Sequence, residues 1–203
     1  MGRFRLSFTT GGLLVSEIAI ACQRILDARS ISEVRKDLEA ERVFAGRTTR
    51  AVQRLTQEVV DRAATLTPDE QQLAREGSAE DRQNLAWLAA TRRYAILAVF
   101  ARDVLREKFI TLDLNLSIDD FDRFWIAQSQ WHPEVEATTD STKQKLRQNL
   151  FKMLRQADYL TADNTIESAY LSPTFIEAIH PNSPQDLDIF PIHTATALEL
   201  IAR

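Results

Sequence analysis

The sequence predicts a mainly α fold, with a helix-turn-helix-like N-terminal part and a winged helix-turn-helix C-terminal part that carries a short β-hairpin. Three observations lead there. Glycine (5) and proline (6) are scarce in 203 residues, which favours helices joined by short connections. Apolar residues recur at three- and four-residue spacing through most of the chain. The period changes late, at Tyr159–Leu171, where Tyr159-Leu160-Thr161 and Ile166–Leu171 flank the Asx-rich turn Ala162-Asp163-Asn164-Thr165 and read as two short strands.

In chain order, Phe4–Phe8 alternates weakly and reads as a short strand or extended arm. Thr9-Thr10-Gly11-Gly12 is a turn that starts a helix over about Leu13–Ala28, with Leu14, Ile18, Ala21 and Ile25 on one face. Ser30 or Ser32 caps a second helix to Ala40, which buries Val34 and Leu38. After a glycine-containing break, Thr48 or Thr49 caps a third helix to about Leu66, with Val52, Leu55, Val59 and Ala63 in register. Thr67-Pro68 starts a fourth helix and Gly77-Ser78 ends it. From Ala79 to Ile110 the pattern stays helical, as two helices or one kinked one. Ser117 opens a helix over Phe121–Gln130, which His132-Pro133 ends. Thr139-Asp140-Ser141 caps the next helix, Ser141–Ala157, and Ser172-Pro173 opens a short one over Thr174–Ile179. A linker at 180–184 and a last helix from Thr194 complete the expected order. The expected division is 1–68 (helix-turn-helix-like), 69–180 (winged-helix-like) and 181–203 (linker and tail).

Charge is distributed unevenly. The whole chain carries a formal net charge of −4, which argues weakly against nucleic acid. Yet Lys143, Lys145, Arg147, Lys152 and Arg155 fall together, and no Asp or Glu lies between Asp140 and Asp158. Local concentration of charge, more than the total, sets affinity for a polyanion. At 100° per residue, Leu146, Leu150, Met153 and Leu154 form one face of this helix. Gln144, Lys145, Gln148, Asn149, Lys152, Arg155 and Gln156 gather opposite. Lys and Arg neutralise phosphates, and Gln and Asn pair with adenine edges. Thr139, Ser141 and Thr142 add hydroxyls and free N–H groups at the helix start, a natural phosphate contact beside Lys143. The order helix, connection, basic helix, hairpin places Ser141–Ala157 as a recognition helix. In the first half, Arg47, Arg50, Arg54 and Gln57 project together and form a weaker second candidate, with Asp61 on the same face.

Other chemistry is weaker. His132, His180 and His193 have no partners at metal-ligand spacing. Asp119, Asp120 and Asp122 follow Ser117 and read as helix-start charge. Cys22 stands alone, which fits a reducing compartment and a core position. Trp87, Trp125 and Trp131 read as core. Thr9-Thr10-Gly11-Gly12 lacks the Lys-Ser/Thr of a phosphate-binding loop. No nucleophile, base and oxyanion hole assemble, so no enzyme and no cofactor are expected. The apolar stretch Gly11–Cys22 is about 12 residues, against roughly 20 for a membrane span, so a cytoplasmic protein is expected.

Two stretches carry a resemblance to a known family. The first is Arg5-Leu6-Ser7-Phe8-Thr9-Thr10-Gly11-Gly12-Leu13-Leu14 with Glu17 after it. The second is Ser141-Thr142-Lys143, Leu146, Leu150, Met153-Leu154, Ala157 and Tyr159-Leu160, followed by Leu171-Ser172-Pro173. Together they resemble BrxA proteins, small components of BREX bacteriophage-exclusion systems. The resemblance implies a helical, helix-turn-helix-bearing, DNA-binding accessory protein, with double-stranded DNA and other BREX system proteins as partners. It also carries a likeness to an RNA-binding antitermination factor, so RNA is the alternative nucleic acid. A protein-interaction adaptor is the rival reading, because the apolar residues around Phe190-Pro191 in the acidic tail have no evident place in a winged helix.

Overall fold

Side-chain caps set most of the helix starts. Ser30, Thr48, Thr67, Ser78, Ser117 and Thr139 each accept a hydrogen bond from the first turn of the helix that follows. At Thr67, Ser78 and Ser117 a carboxylate (Glu70, Asp81, Asp120) returns the bond to the cap's own N–H and completes a capping box. A computed structural model describes residues 2–8, 12–28, 30–179 and 184–193. The helices are α1 Val15–Asp27, α2 Ile31–Ala40, α3 Thr49–Ala63, α4 Pro68–Glu76 and α5 Ala79–Arg93. There follow α6 Ala95–Phe100, a π-helical turn Ala101–Arg106, α7 Glu107–Ile110, α8 Ile118–Ser129, α9 Pro133–Glu136, α10 Asp140–Gln156 and α11 Pro173–Ile179. A 3-10 turn spans Pro184–Ile189. The expected kink in 79–110 is real: the chain breaks at Tyr94, whose φ of −122° and ψ of 87° leave the helical region.

The mainly α expectation holds, but the winged helix with its β-hairpin does not. No β-strand forms among the described residues, and Leu160 and Ile166 meet in a single isolated bridge. The turn itself is present: Thr161 N–H donates to the Thr165 carbonyl, and Asn164 adopts φ 68°. Beyond it the limbs keep one further bond, from Glu167 N–H to the Tyr159 carbonyl, and otherwise find other partners. Ile166 N–H donates to the Leu114 carbonyl, Ala169 N–H to the Pro191 carbonyl, and the Tyr170 carbonyl accepts from Asn84. Backbone groups that serve three different neighbours cannot also build a two-stranded ladder.

One apolar core runs from Phe8 to Ile192. α1 packs on α3 and α4, α2 on α3, and α4 on both α5 and α11. Trp87 is fully buried on α5 and donates to the Ile189 carbonyl. Phe190 is also fully buried and meets Tyr159 and Phe175 edge-on. The apolar residues of the tail up to Ile192 therefore belong to the core and are not left over for a partner. Trp125 is core as expected, whereas Trp131 is 71% exposed. The 180–183 linker, His180 with it, the Thr9–Gly11 part of the glycine turn and the helix expected from Thr194 lie outside the described residues.

A buried charge network ties α2, α3 and α5 to the segment before α1. Arg62, with no exposed surface, donates Nε to Glu58 at 2.7 Å and Nη1 to the Gly12 carbonyl at 2.9 Å. The Tyr94 hydroxyl donates to the Glu58 carboxylate, and Arg93 approaches it at 3.5 Å. Asp61 receives Arg35 at 2.8 Å and Arg93. No helix among the described residues is long and apolar enough to cross a membrane.

Candidate nucleic-acid interface

α10 is held along its apolar face and at its end. Leu146, Leu150, Met153 and Leu154 are buried, as the periodicity requires, and Phe151 is nearly so. At its end, Asp158 turns the chain with φ 59°, and the Tyr159 hydroxyl donates to Asn84 at 2.6 Å. Burial, with the Asp158 charge nearby, holds the Tyr159 phenol well above its usual range, so it stays a neutral donor.

The polar surface of α10 divides into three parts. Lys143 pairs with Asp122 of α8 at 2.7 Å, and Arg147 approaches the same carboxylate at 3.4 Å. On the other edge, the Asn149 amide donates to the Phe8 carbonyl at 2.9 Å. Gln156 accepts from the Leu13 N–H at 2.7 Å. These two amides hold the N-terminal segment, so their polar groups are already engaged. Between the edges lie Gln144, Lys145, Gln148, Lys152 and Arg155, all exposed. Lys145 and Lys152 have no acidic partner among the described residues. Arg155 donates to Asn164 at 2.6 Å and lies over the Phe151 ring, which steadies its guanidinium at the surface. Thr142 sits at the helix start, its N–H and hydroxyl turned to the Thr139 cap.

The second candidate lies on α3 and the residue before its cap. Arg47, Arg50 and Arg54 are exposed and unpaired with any carboxylate among the described residues. Asp61, expected on the same face, is turned to Arg35 and Arg93 instead. Sequence reasoning missed Asp122 as the counter-charge of Lys143 and Arg147. An acid on α8 was the available signal, but its facing direction was not. It also missed Arg62, whose burial no local pattern announces.

The glycine of the N-terminal motif has a steric reason. A Cβ at Gly12 would stand 2.1 Å from Gln156 Oε1, so a larger residue would displace the side chain that accepts from the Leu13 N–H. The two stretches singled out in the sequence thus touch each other in the fold.

Comparison with known proteins covers both stretches. The family model described as BrxA matches residues 2–183. The BREX protein BrxA of Paramagnetospirillum magneticum is 23% identical over 185 residues, covering 90% of this chain and 93% of that protein. A crystal structure of an uncharacterized protein from Magnetospirillum magneticum superposes with a TM-score of 0.81. It is 21% identical and covers 94% of this chain and 100% of its own, a likeness of fold.

Proposed function

We propose a function from one premise: the chain belongs to the BrxA family. A curated relative is a BREX protein. On that basis the chain is a non-enzymatic accessory protein of such a phage-defence system, cytoplasmic, with other system proteins as partners. In this reading it binds duplex DNA through α10. The observation that carries the reading is the exposed strip Gln144, Lys145, Gln148, Lys152 and Arg155 on a helix whose remaining faces are pinned. Cations held on a rigid element suit phosphates, and the interleaved amides suit base edges. Arg50 and Arg54 on α3, with Arg47 just before it, supply a second, flanking contact. Docking to other proteins does not run through Ile189–Ile192, which are core.

The test is duplex binding across a salt range with Lys145→Gln, Lys152→Gln and Arg155→Gln combined. Log affinity falls against log salt with a slope of roughly 0.9 per phosphate neutralised, so the triple variant loses about 2 to 3 from the slope. Arg102→Glu, an exposed cation on the π-helical turn, leaves the slope unchanged. An unaltered slope in the triple variant, with the fold intact, sinks the reading. Stronger competition by structured RNA than by duplex DNA replaces it with the RNA alternative.

A further inference from the structure

We infer that the extended segment 2–8 is part of the same interface, and that Arg3 and Arg5 contact the DNA backbone beside α10. This rests on the DNA-binding reading above and adds to it a second element and two residues.

The segment is anchored at both ends. Phe4 N–H donates to Glu134 Oε1 at 2.6 Å, and the Phe4 ring stacks on His132 with centroids 3.9 Å apart. That bond from Phe4, with His132 adding to it, holds the Glu134 carboxyl below its usual range. At the other end Phe8 is buried against Tyr94, and its carbonyl accepts from Asn149 in the middle of α10. Between these anchors the side chains alternate: Leu6 is half-buried, while Arg3, Arg5 and Ser7 are exposed. This is the two-residue period of an extended chain lying on a surface.

Placement follows from reach. An extended residue spans about 3.3 Å, so the Arg5 Cα lies within roughly 10 Å of Phe8. Phe8 is bonded to Asn149, which flanks Lys145 and Lys152 on the helical wheel. Arg5 therefore lies along the Asn149 edge, toward the start of α10, on the exposed side. Neither Arg3 nor Arg5 has an acidic partner among the described residues. The nearby carboxylates are Glu134, engaged by Phe4 and His132, and the exposed Glu136. An arginine-bearing arm held beside a recognition helix follows the duplex past the groove that the helix enters.

The experiment compares the wild type, Arg3→Gln/Arg5→Gln, Arg3→Lys/Arg5→Lys and Lys145→Gln/Lys152→Gln on one duplex. It reads salt-dependent affinity by anisotropy, the hydroxyl-radical footprint, and the thermal midpoint. For two phosphates the glutamine arm variant loses about 1.8 from the slope. It also loses protection at one end of the footprint, at an unchanged midpoint. The lysine arm variant keeps the slope. If the glutamine arm variant binds and protects like wild type while Lys145→Gln/Lys152→Gln weakens, the arm inference falls and the helix reading stands. If neither variant changes wild-type binding, or the wild type does not bind duplex DNA, the reading beneath it falls too.

Discussion

Replacing Arg62 by Met tests whether the buried network holds α3 and α5 to the segment before α1. The guanidinium is fully buried, pairs with Glu58 at 2.7 Å, and donates to the Gly12 and Leu13 carbonyls at 2.9 and 3.4 Å. Removing one partner of a buried pair costs about 3–5 kcal/mol, because the other charge is left behind. Here Glu58 keeps the Tyr94 hydroxyl and Arg93, which lowers the loss. Arg62 Nη2 is itself buried without a hydrogen bond, so methionine relieves an existing cost of about 1 kcal/mol. The two carbonyls that lose their donor offset that relief by a similar amount. The net expectation is about 3 kcal/mol, or roughly 6–12 °C in the unfolding midpoint of a chain this size. Urea unfolding and a thermal scan measure it, with Arg54→Met, exposed on the same helix, as a control within about 0.5 kcal/mol. An Arg62→Met midpoint within 2 °C of wild type would refute the view that this network is structural.

Further outcomes follow from other parts of the fold. Phe190→Ala removes a fully buried ring from between Tyr159 and Phe175 and costs about 3–5 kcal/mol in chemical unfolding; a near-neutral result would return this stretch to a docking role. Asp122→Asn releases Lys143 and Arg147, so duplex affinity rises and the salt slope steepens by up to about 0.9 for each added phosphate contact; weaker binding would mean that Asp122 positions those cations for DNA. The Cys22 thiol is pushed up to about 12 by burial, with the Glu70 charge adding to it, so alkylation at neutral pH tracks unfolding and is negligible in the native protein. At Asp120 desolvation raises the pKa, but the Ser117 N–H and hydroxyl, Lys108 and Arg123 outweigh it and hold the carboxyl below its usual range. Its folded pKa is thus depressed, so its contribution is present above the ordinary carboxylate pKa and is lost as pH falls through the folded value. Asp120→Asn flattens acid unfolding in that window, and an unchanged acid profile counts against it.

Helix starts were the most legible feature, because a cap is a local event. Thr67-Pro68 and Ser117 with Asp120 are read from adjacent residues and need no tertiary partner. The buried faces of α3 and α10 were legible for the same reason, since period alone selects Val52 and Val59, or Leu146 and Leu150. The hairpin was misread because alternation around an Asx turn reports only that the chain reverses. Whether strands then form depends on which backbone groups lie opposite, and here Leu114 and Pro191, both remote in sequence, take those of Ile166 and Ala169. Trp131 was misjudged because the residues that would cover it are set by where the α8–α9 connection points. The tail residues Ile189 and Phe190 looked unassigned because the core that receives them is built from α5 and α11.

The basic helix shows how the same distinction bears on function. Its sequence offers one continuous polar face, and charge counting treats every residue on it alike. The fold does not. Asp122 takes Lys143 and Arg147 on one edge, and the backbone of Phe8 and Leu13 takes Asn149 and Gln156 on the other. A side chain already bonded within the protein must lose that bond before it meets a ligand, whereas an unpaired exposed cation loses only water. Lys145 and Lys152 are therefore the cations with the least to give up on meeting a phosphate. The amides on the far edge serve the helix differently, by fixing the segment that carries Arg3 and Arg5 against it. What the fold removes from the polar face of α10 it uses to bring a second basic element alongside.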